Sequence, residues 1–263
     1  MRRIGTGLDT ITYLGEYTRT RIGAALRPAD AAAMRRLVPG VDAERFNPQV
    51  SGQEVRERYG LSDRPVIVCV SRLMPRKGQD TLVAALPAIH TQVPGAALLI
   101  VGGGPARERL GRAAERLGVA KDVVLTGSVP WSDLPEYYAA GDVFAMPCRT
   151  RGRGLDVEGL GIVYLEASAV GLAVVAGDSG GAPDAVKVGI TGEVVRADPA
   201  HPAALVRAVS GLLRDPGRAE QLGRAGREWI RSDWGWARSG ERLAAMLAGQ
   251  DPDSAGPSGP SPH

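Results

Sequence analysis

Short apolar runs alternate with longer amphipathic segments along most of the chain. Each run is almost wholly apolar, as expected of a strand covered by helices on both faces of a sheet. The runs predict six strands, at residues 66–70, 97–101, 123–126, 143–146, 173–176 and 193–195. The longer segments predict eight helices, at residues 79–92, 106–117, 132–139, 161–170, 183–186, 201–213, 216–232 and 236–247. This alternation predicts an α/β fold, a Rossmann-like parallel sheet with flanking helices.

The first 25 residues depart from this alternation. Residues 9–14 predict one further strand and residues 16–25 one further helix, followed by a loop over residues 27–47. Ser51 and Glu54 have the spacing of a capping box, which predicts that a new helix begins there. A domain boundary is therefore expected in the loop.

Composition excludes several classes of protein. The chain is 44% hydrophobic and 23% charged, as is usual for a globular protein with a buried core. A net charge of +3 from 32 basic and 29 acidic residues is a small imbalance, so no nucleic-acid partner is predicted. No apolar stretch approaches the ~20 residues that span a bilayer, and no signal segment opens the chain. Cys69 and Cys148 lie in apolar runs and are predicted to be reduced core residues of a cytoplasmic protein.

A basic loop follows the first of the six strands. Residues 71–78 contain Arg72 and Lys77 and lead directly into a helix. Open α/β folds bind ligands at the carboxyl ends of their strands. Both side chains could reach a diphosphate there and neutralise charge that would otherwise need a metal ion. The alternative is a solvated loop without a ligand.

Two carboxylates stand eight residues apart around a glycine-rich helix entry. Gly161 lets the backbone approach a ligand, and free N–H groups at Ile162 and Val163 suit a phosphate. Glu166 lies inside an otherwise apolar or small helix, and a buried carboxylate needs a partner. We expect Glu166 to accept hydrogen bonds from ribose hydroxyls and Glu158 to face a sugar. The alternative for each is a solvent-facing glutamate.

Three further features bear on the site. Residues 102–104 are three glycines that lack the G-x-G-x-x-G spacing of a dinucleotide fingerprint, so a tight turn is predicted. Residues 149–154 form a basic, glycine-rich loop, for which solvation and contact with a phosphorylated acceptor both stay open. The histidines His90, His201 and His263 have no catalytic neighbours, and no histidine metal site is predicted.

Together these motifs resemble the GT4 glycosyltransferases, which have the two-domain GT-B fold. The matching motifs are Arg72-Leu73-x-x-Arg76-Lys77-Gly78, Gly102-Gly103-Gly104, Glu158-x7-Glu166 and Ser179-Gly180-Gly181-Ala182-Pro183. The stretch from Pro147 to Ala167 is most similar to the actinobacterial PimB-type GDP-mannose-dependent phosphatidylinositol mannosyltransferases. The resemblance covers residues 1 to about 248.

The resemblance implies a retaining transfer of a hexose, mannose from GDP-mannose, to a phosphatidylinositol mannoside-type lipid acceptor. No metal and no other cofactor is implied, since cations stand where a metal would balance the leaving diphosphate. Peripheral contact with the inner face of the plasma membrane is expected of such an enzyme. The implied roles are diphosphate binding by Arg72, Lys77, Gly161, Ile162 and Val163, ribose binding by Glu166, base contacts by Ser128 and Val129, and a catalytic role near the transferred sugar for Glu158.

The resemblance also implies a division of the chain as the carboxyl-terminal, donor-binding half of a GT-B enzyme. The acceptor-side amino-terminal domain would then be missing or supplied by a partner chain. The expected parts are a remnant of that domain (1–26), a linker (27–48), the donor-binding domain (49–215), helices packing back on the amino-terminal domain (216–248) and a disordered tail (249–263).

Two alternatives from other classes remain. One is a catalytically silent nucleotide-binding module that acts with a partner chain, on the ground of the missing half. The other is a nicotinamide-dependent oxidoreductase, which would rest on the glycines at residues 102–104 alone.

Overall fold

The computed structural model describes residues 7–250 and residue 252. The strands are β1 (Thr12–Tyr13), β2 (Arg35–Arg36), β3 (Val66–Val70), β4 (Ala97–Val101), β5 (Val123–Gly127), β6 (Val143–Met146), β7 (Ala173–Gly177) and β8 (Gly192–Val195). The helices are α1 (Glu16–Gly23), α2 (Pro28–Ala32), α3 (Gln53–Arg58), α4 (Gln79–His90), α5 (Arg107–Arg116), α6 (Leu134–Ala139), α7 (Ile162–Val170), α8 (Ala203–Arg214), α9 (Pro216–Asp233) and α10 (Trp236–Leu247). All six strands predicted for the main sheet are present.

Strands β3 to β8 form one parallel sheet in the order β5-β4-β3-β6-β7-β8. On the central strand, Val68 pairs with Leu99 on one side and with Phe144 on the other. Every residue of β3, β4, β6 and β7 is buried, whereas the edge strands β5 and β8 are partly exposed. The predicted parallel sheet with flanking helices is thus confirmed, and its continuous apolar runs are explained by cover on both faces.

Helix α9 packs closely on α7, the helix that follows Glu158 and contains Glu166. A Cβ atom added at Gly223 would overlap the carbonyl oxygen of Gly171, and one at Gly226 would lie 3.1 Å from Cβ of Ser168. Glycine at these two positions therefore lets the helices approach. The packing of residues 216–248 back on an amino-terminal domain stays a prediction, and their first helix contacts the sheet domain.

The amino-terminal residues differ in detail from the prediction. The further strand is only Thr12–Tyr13, and the segment expected to be a loop contains α2 and β2, which pairs in parallel with β1. The next segment docks on the carboxyl-terminal helices, where the N–H of Val41 donates to the carbonyl of Trp234 at 2.7 Å. Arg227 donates to the carbonyls of Ala43 and Phe46, each at 2.7 Å. Long-range hydrogen bonds of this kind leave no trace in local periodicity.

Two local predictions were wrong and one lies mostly outside the described residues. Gly52, not Ser51, precedes α3, and the Ser51 hydroxyl accepts only from the N–H of Gln53 at 3.2 Å, so no capping box forms. The segment predicted as a helix at 183–186 is a single 3-10 turn, Ala182–Ala185. Of the tail 249–263, only residues 249, 250 and 252 are described. Within the described chain, no helix is long and apolar enough to cross a bilayer.

Candidate functional site

The sheet order places a crevice between two neighbouring strands. The chain proceeds from β3 outward through β4 to β5, then returns to the other side of β3 and proceeds through β6 and β7 to β8. The loops that leave β3 and β6 therefore turn away from each other, and ligands of open α/β sheets bind at such a switch point. We call the space between the loop at residues 71–78 and the loop at residues 147–161 the switch-point crevice.

An ion pair joins the two loops across the crevice. The Nζ atom of Lys77 donates to Oε2 of Glu158 at 2.5 Å, and the two side chains are only 11% and 9% exposed. Gly78 makes this approach possible. Its φ is +79°, and a Cβ atom there would overlap the carbonyl oxygen of Pro147. Two residues predicted from separate motifs therefore meet in one site.

Arg72 lies on the exposed side of the same loop. Gln79, at the start of α4, donates to the Arg72 carbonyl at 2.9 Å and to the Ser71 hydroxyl at 2.8 Å, which fixes the backbone of the loop. Among the described residues, no acidic side chain pairs with the Arg72 guanidinium. This arginine is thus held in place by its backbone and keeps its charge available.

A second ion pair, which the sequence did not predict, braces the same loops. Both terminal nitrogens of Arg149 donate to the carboxylate of Asp80 at 2.7 Å, and the Arg149 N–H donates to the Arg76 carbonyl at 2.8 Å. Arg76 in turn lies 3.8 Å from Asp156. The bidentate geometry adds specificity of orientation to the attraction. These contacts hold Lys77 and Glu158 in register.

The amino end of α7 faces the crevice with unbonded N–H groups. Gly161 caps the helix with φ +82°, and a Cβ atom there would overlap the ring of Tyr164. The first N–H groups of a helix have no acceptor within it, and no described hydrogen bond uses those of Ile162 and Val163. Together with the helix dipole, they form a site for an anion.

Glu166 lies one turn further along α7 and is 9% exposed. The hydroxyl of Tyr138, on α6, donates to its Oε2 atom at 2.6 Å. Burial raises the pKa of Glu166 above its ordinary value, and the hydrogen bond from Tyr138 opposes that rise. The buried carboxylate has a hydrogen-bond partner, as predicted, but the sequence did not identify Tyr138 as that partner.

Glycines in the neighbouring loop shape the backbone of Glu158. The N–H of Gly181 donates to the Glu158 carbonyl at 2.8 Å. Gly180 has φ +57°, and a Cβ atom there would overlap that same carbonyl oxygen. The predicted glycine turn after β7 therefore fixes the position of Glu158.

The glycines after β4 have a packing role. Gly102 and Gly104 have φ of +136° and +152°, and a Cβ atom on Gly104 would lie 2.7 Å from the backbone of Leu73. A Cβ atom on Gly103 would lie 2.5 Å from Oγ of Ser128. The turn thus brings the loop after β5, with exposed Ser128 and half-buried Val129, beside the loop after β3. The tight turn predicted from the sequence is what the structure shows.

Charge is concentrated around the crevice. The segments 71–80 and 149–158 carry six cationic and three acidic side chains, a net charge of +3, which equals the formal net charge of the whole chain. Of the cations, Arg151 and Arg153 are exposed and form no ion pair with any described residue. Within the described chain, no three His, Cys, Asp or Glu side chains converge as metal ligands. The local field favours an anionic ligand.

A cavity of about 520 Å³ lies at the opposite, amino-terminal edge of the sheet, lined by Arg56, Arg64 and Asp142 among others. Its arginines are already engaged. Arg56 binds both oxygens of Asp142 at 2.9 Å, and Arg64 binds Asp122 at 2.6 Å. The switch-point crevice, with its cations that form no ion pair among the described residues and its unbonded N–H groups, is therefore the better candidate.

Comparison with known proteins identifies the family of the chain. Residues 52–229 match the family described as glycosyl transferases group 1. The chain is 55% identical to the GDP-mannose-dependent alpha-(1-6)-phosphatidylinositol monomannoside mannosyltransferase of Mycolicibacterium smegmatis, over 95% of this chain and 65% of that protein. It is 44% identical to a monoacylated phosphatidylinositol monomannoside mannosyltransferase of Corynebacterium glutamicum, over 94% of this chain and 64% of that protein. The chain thus spans somewhat less than two thirds of these relatives.

Solved structures share the fold. Sucrose-phosphate synthase from Thermosynechococcus elongatus superposes with a TM-score of 0.78 at 26% identity, covering 92% of this chain and 58% of that one. Anabaena Alr3699/HepE, solved in complex with UDP, superposes with a TM-score of 0.80 at 23% identity, covering 91% of this chain and 64% of that one. With the family match over most of its length, the chain belongs to the group 1 glycosyl transferases.

Proposed function

We propose that the switch-point crevice binds the donor GDP-mannose and that the protein transfers mannose, with retention, to a phosphatidylinositol mannoside-type lipid. The observation that carries the proposal is the convergence of Lys77, Glu158 and the unbonded N–H groups of α7 at one switch point. Relatives of the chain whose names state a GDP-mannose-dependent reaction support the choice of sugar and base.

The cationic side of the crevice would take the diphosphate. Arg72 has no acidic partner among the described residues. The ammonium group of Lys77 donates one N–H to Glu158 and has further N–H groups for a ligand. With the backbone of Gly161, Ile162 and Val163, they would surround the phosphate oxygens with donors. Charge-assisted donors that are already in place stabilise a leaving diphosphate without reorganisation. These residues supply the role that a metal has elsewhere, so no metal is needed in this proposal.

The other proposed contacts to GDP-mannose are assigned from the position of each residue in the crevice. Glu166 would accept from the ribose hydroxyls, and the backbone of Ser128 and Val129 would contact the base. Glu158 would lie beside the transferred sugar. Because Lys77 and the Gly181 N–H fix this glutamate, we assign it electrostatic support of positive charge that develops on the sugar.

The acceptor would approach along the exposed basic loop. Arg151 begins a tight turn that is closed by backbone hydrogen bonds between Arg151 and Asp156, Arg153 lies within that turn, and Leu155 in the same turn is 86% exposed. Arginine binds phosphate well, and an exposed leucine beside it suits the surface of a lipid layer. This combination favours a lipid with a phosphorylated head group as acceptor, and peripheral contact with an anionic leaflet.

A transfer assay tests the proposal. The purified chain, joined to the amino-terminal domain of a relative that would supply the acceptor side, would be incubated with GDP-mannose and vesicles that contain phosphatidylinositol monomannoside, and the lipids analysed by mass spectrometry. A gain of one hexose that depends on Glu158 is expected. Binding of GDP without any transfer would instead favour the nucleotide-binding module that acts with a partner chain.

A further inference from the structure

Tyr138 is a buried residue that contacts the donor site from the side of the core. It is fully buried on α6, and its hydroxyl donates to Oε2 of Glu166 at 2.6 Å. Its ring lies 5.8 Å from that of Phe46 and 5.7 Å from that of Phe144. Aromatic neighbours on two sides hold the ring in one orientation, so the direction of the hydroxyl is fixed.

We propose that Tyr138 is the positioning residue that prepares Glu166 to recognise the hydroxyls of a nucleoside. It occupies Oε2 and orients the carboxylate, so that Oε1 accepts from the ribose. This inference rests on the proposed function, since it assumes that Glu166 binds the ribose.

The choice of a neutral donor matters. Glu166 is buried, with only 9% of its surface exposed, and yet no cationic side chain among the described residues pairs with it. A buried carboxylate left without any donor would take up a proton and lose part of its accepting capacity. A lysine or arginine would satisfy it but would also neutralise its charge. A tyrosine hydroxyl stabilises the carboxylate and leaves the charge to strengthen hydrogen bonds from a ligand.

The two carboxylate oxygens of Glu166 thereby have different partners. Tyr138 takes one oxygen, and no described hydrogen bond uses the other. Glu166 lies one turn, about 5.4 Å, along α7 from the unbonded N–H groups of Ile162 and Val163, so one nucleoside diphosphate could contact both. Tyr138 thus determines selectivity for the sugar hydroxyls of the nucleotide without touching the nucleotide.

The chain offers a matched control for the test. Tyr137 is the adjacent residue of α6 and is 3% exposed, but its hydroxyl lies 3.4 Å from that of Tyr59, remote from Glu166. Tyr138→Phe and Tyr137→Phe each remove one buried hydroxyl from one helix and retain the ring. A change that follows only from Tyr138→Phe therefore reports on Glu166.

Calorimetric titration of the wild-type protein and both variants with GDP, 2′-deoxy-GDP and 3′-deoxy-GDP tests the inference. Wild-type protein should prefer GDP over at least one deoxy analogue by about tenfold or more, as expected of a hydrogen bond to a charged group. Tyr138→Phe should weaken GDP binding about tenfold and bring that preference close to one, while Tyr137→Phe keeps both. A Tyr138→Phe variant that binds GDP with the undiminished preference would overturn the inference.

Two further outcomes are distinguishable. If wild-type protein binds GDP and both deoxy analogues equally, the ribose assignment of the proposed function fails, and the inference with it. If Tyr138→Phe does not fold, the comparison moves to the Glu166→Gln background, which has no buried charge to leave unpaired. In the Glu166→Gln background, Tyr138→Phe should leave any remaining preference for GDP over the deoxy analogues unchanged. A further loss of that preference would contradict a role of Tyr138 that acts through Glu166.

Discussion

The two edges of the parallel sheet use the same charged residues in opposite ways. At the amino-terminal edge, Arg56 is saturated by both oxygens of Asp142 and by the carbonyls of Ser62 and Arg64. At the carboxyl-terminal edge, Arg72 has a fixed backbone and no acidic partner among the described residues. A saturated arginine contributes to stability, whereas an oriented and unsaturated one is available to a ligand. Arginine content alone does not distinguish these roles.

The largest effect on GDP binding and on stability should follow from breaking the ion pair between Lys77 and Glu158 in the switch-point crevice. Lys77→Met removes a diphosphate donor and leaves Glu158 buried without a partner, so we expect about 100-fold weaker GDP binding and a loss of about 3–5 kcal/mol in the free energy of unfolding. Calorimetry and chemical denaturation measure the two quantities. Arg56→Met, at the opposite edge, should leave GDP affinity within about twofold.

The double variant Lys77→Met/Glu158→Leu separates the two effects. Replacing a buried pair by apolar residues can restore stability, so its unfolding free energy should recover while GDP binding stays weak. Recovery of GDP affinity in the double variant would show that the lysine does not contact the ligand.

Glu166→Gln should have the next largest effect, with opposite signs for binding and stability. The pKa of Glu166 is raised by burial above the ordinary value of 4.5, so its contribution to stability is present below pH 4.5 and is lost as the pH rises through the raised pKa. At pH 7 the glutamine variant should therefore melt higher than wild type, by ~2–4 °C for each kcal/mol gained. Its GDP affinity should fall about tenfold.

Thermal denaturation at several pH values checks the sign. The advantage of the glutamine variant should disappear below pH 4.5, where the glutamate is protonated in both the folded and the unfolded protein. A variant less stable than wild type at pH 7 would show that the ionised carboxylate is stabilised by more than the Tyr138 hydroxyl.

A smaller effect on GDP binding is expected from breaking the ion pair between Asp80 and Arg149. Asp80→Asn breaks the bidentate contact to Arg149 but leaves every proposed ligand contact in place. The loops should lose some of their order, and GDP binding should weaken about threefold to tenfold. Asp142→Asn removes the corresponding partner at the amino-terminal edge and should not change GDP affinity. Equal losses in both variants would mean that the effect comes from general destabilisation.

The smallest effect concerns the two thiols beneath the crevice. Burial raises the pKa of Cys69 to about 12 and that of Cys148 to about 11, so both stay protonated at pH 8. The thiolate is the reactive form, and neither cysteine should react with a thiol reagent until the protein is unfolded. Rapid labelling of the native protein would show that water reaches the floor of the site.

The sequence predicted much of the sheet because each central strand is buried on both faces and so reads as a continuous apolar run. It predicted Lys77, Glu158 and Glu166 as candidates because unusual charges stand beside glycines at strand ends and helix entries. The contact between Lys77 and Glu158 could not be predicted from the local pattern, since it depends on β6 returning to lie beside β3.

The partners missed by the sequence share a physical cause. Asp80 meets Arg149 and Tyr138 meets Glu166 only after distant segments have been placed by the sheet order. Nothing in the local pattern marks Tyr138, which looks like any other buried aromatic residue. Similarly, β1 and β2 are too short for periodicity, and they form through pairing with each other.

The most direct test of the donor site is a calorimetric titration of the purified chain with GDP, with UDP, ADP and NADH as comparisons and circular dichroism as a check of folding. The account predicts that a folded chain binds GDP in preference to the other three. A folded chain that binds none of them, or that prefers NADH, would contradict it.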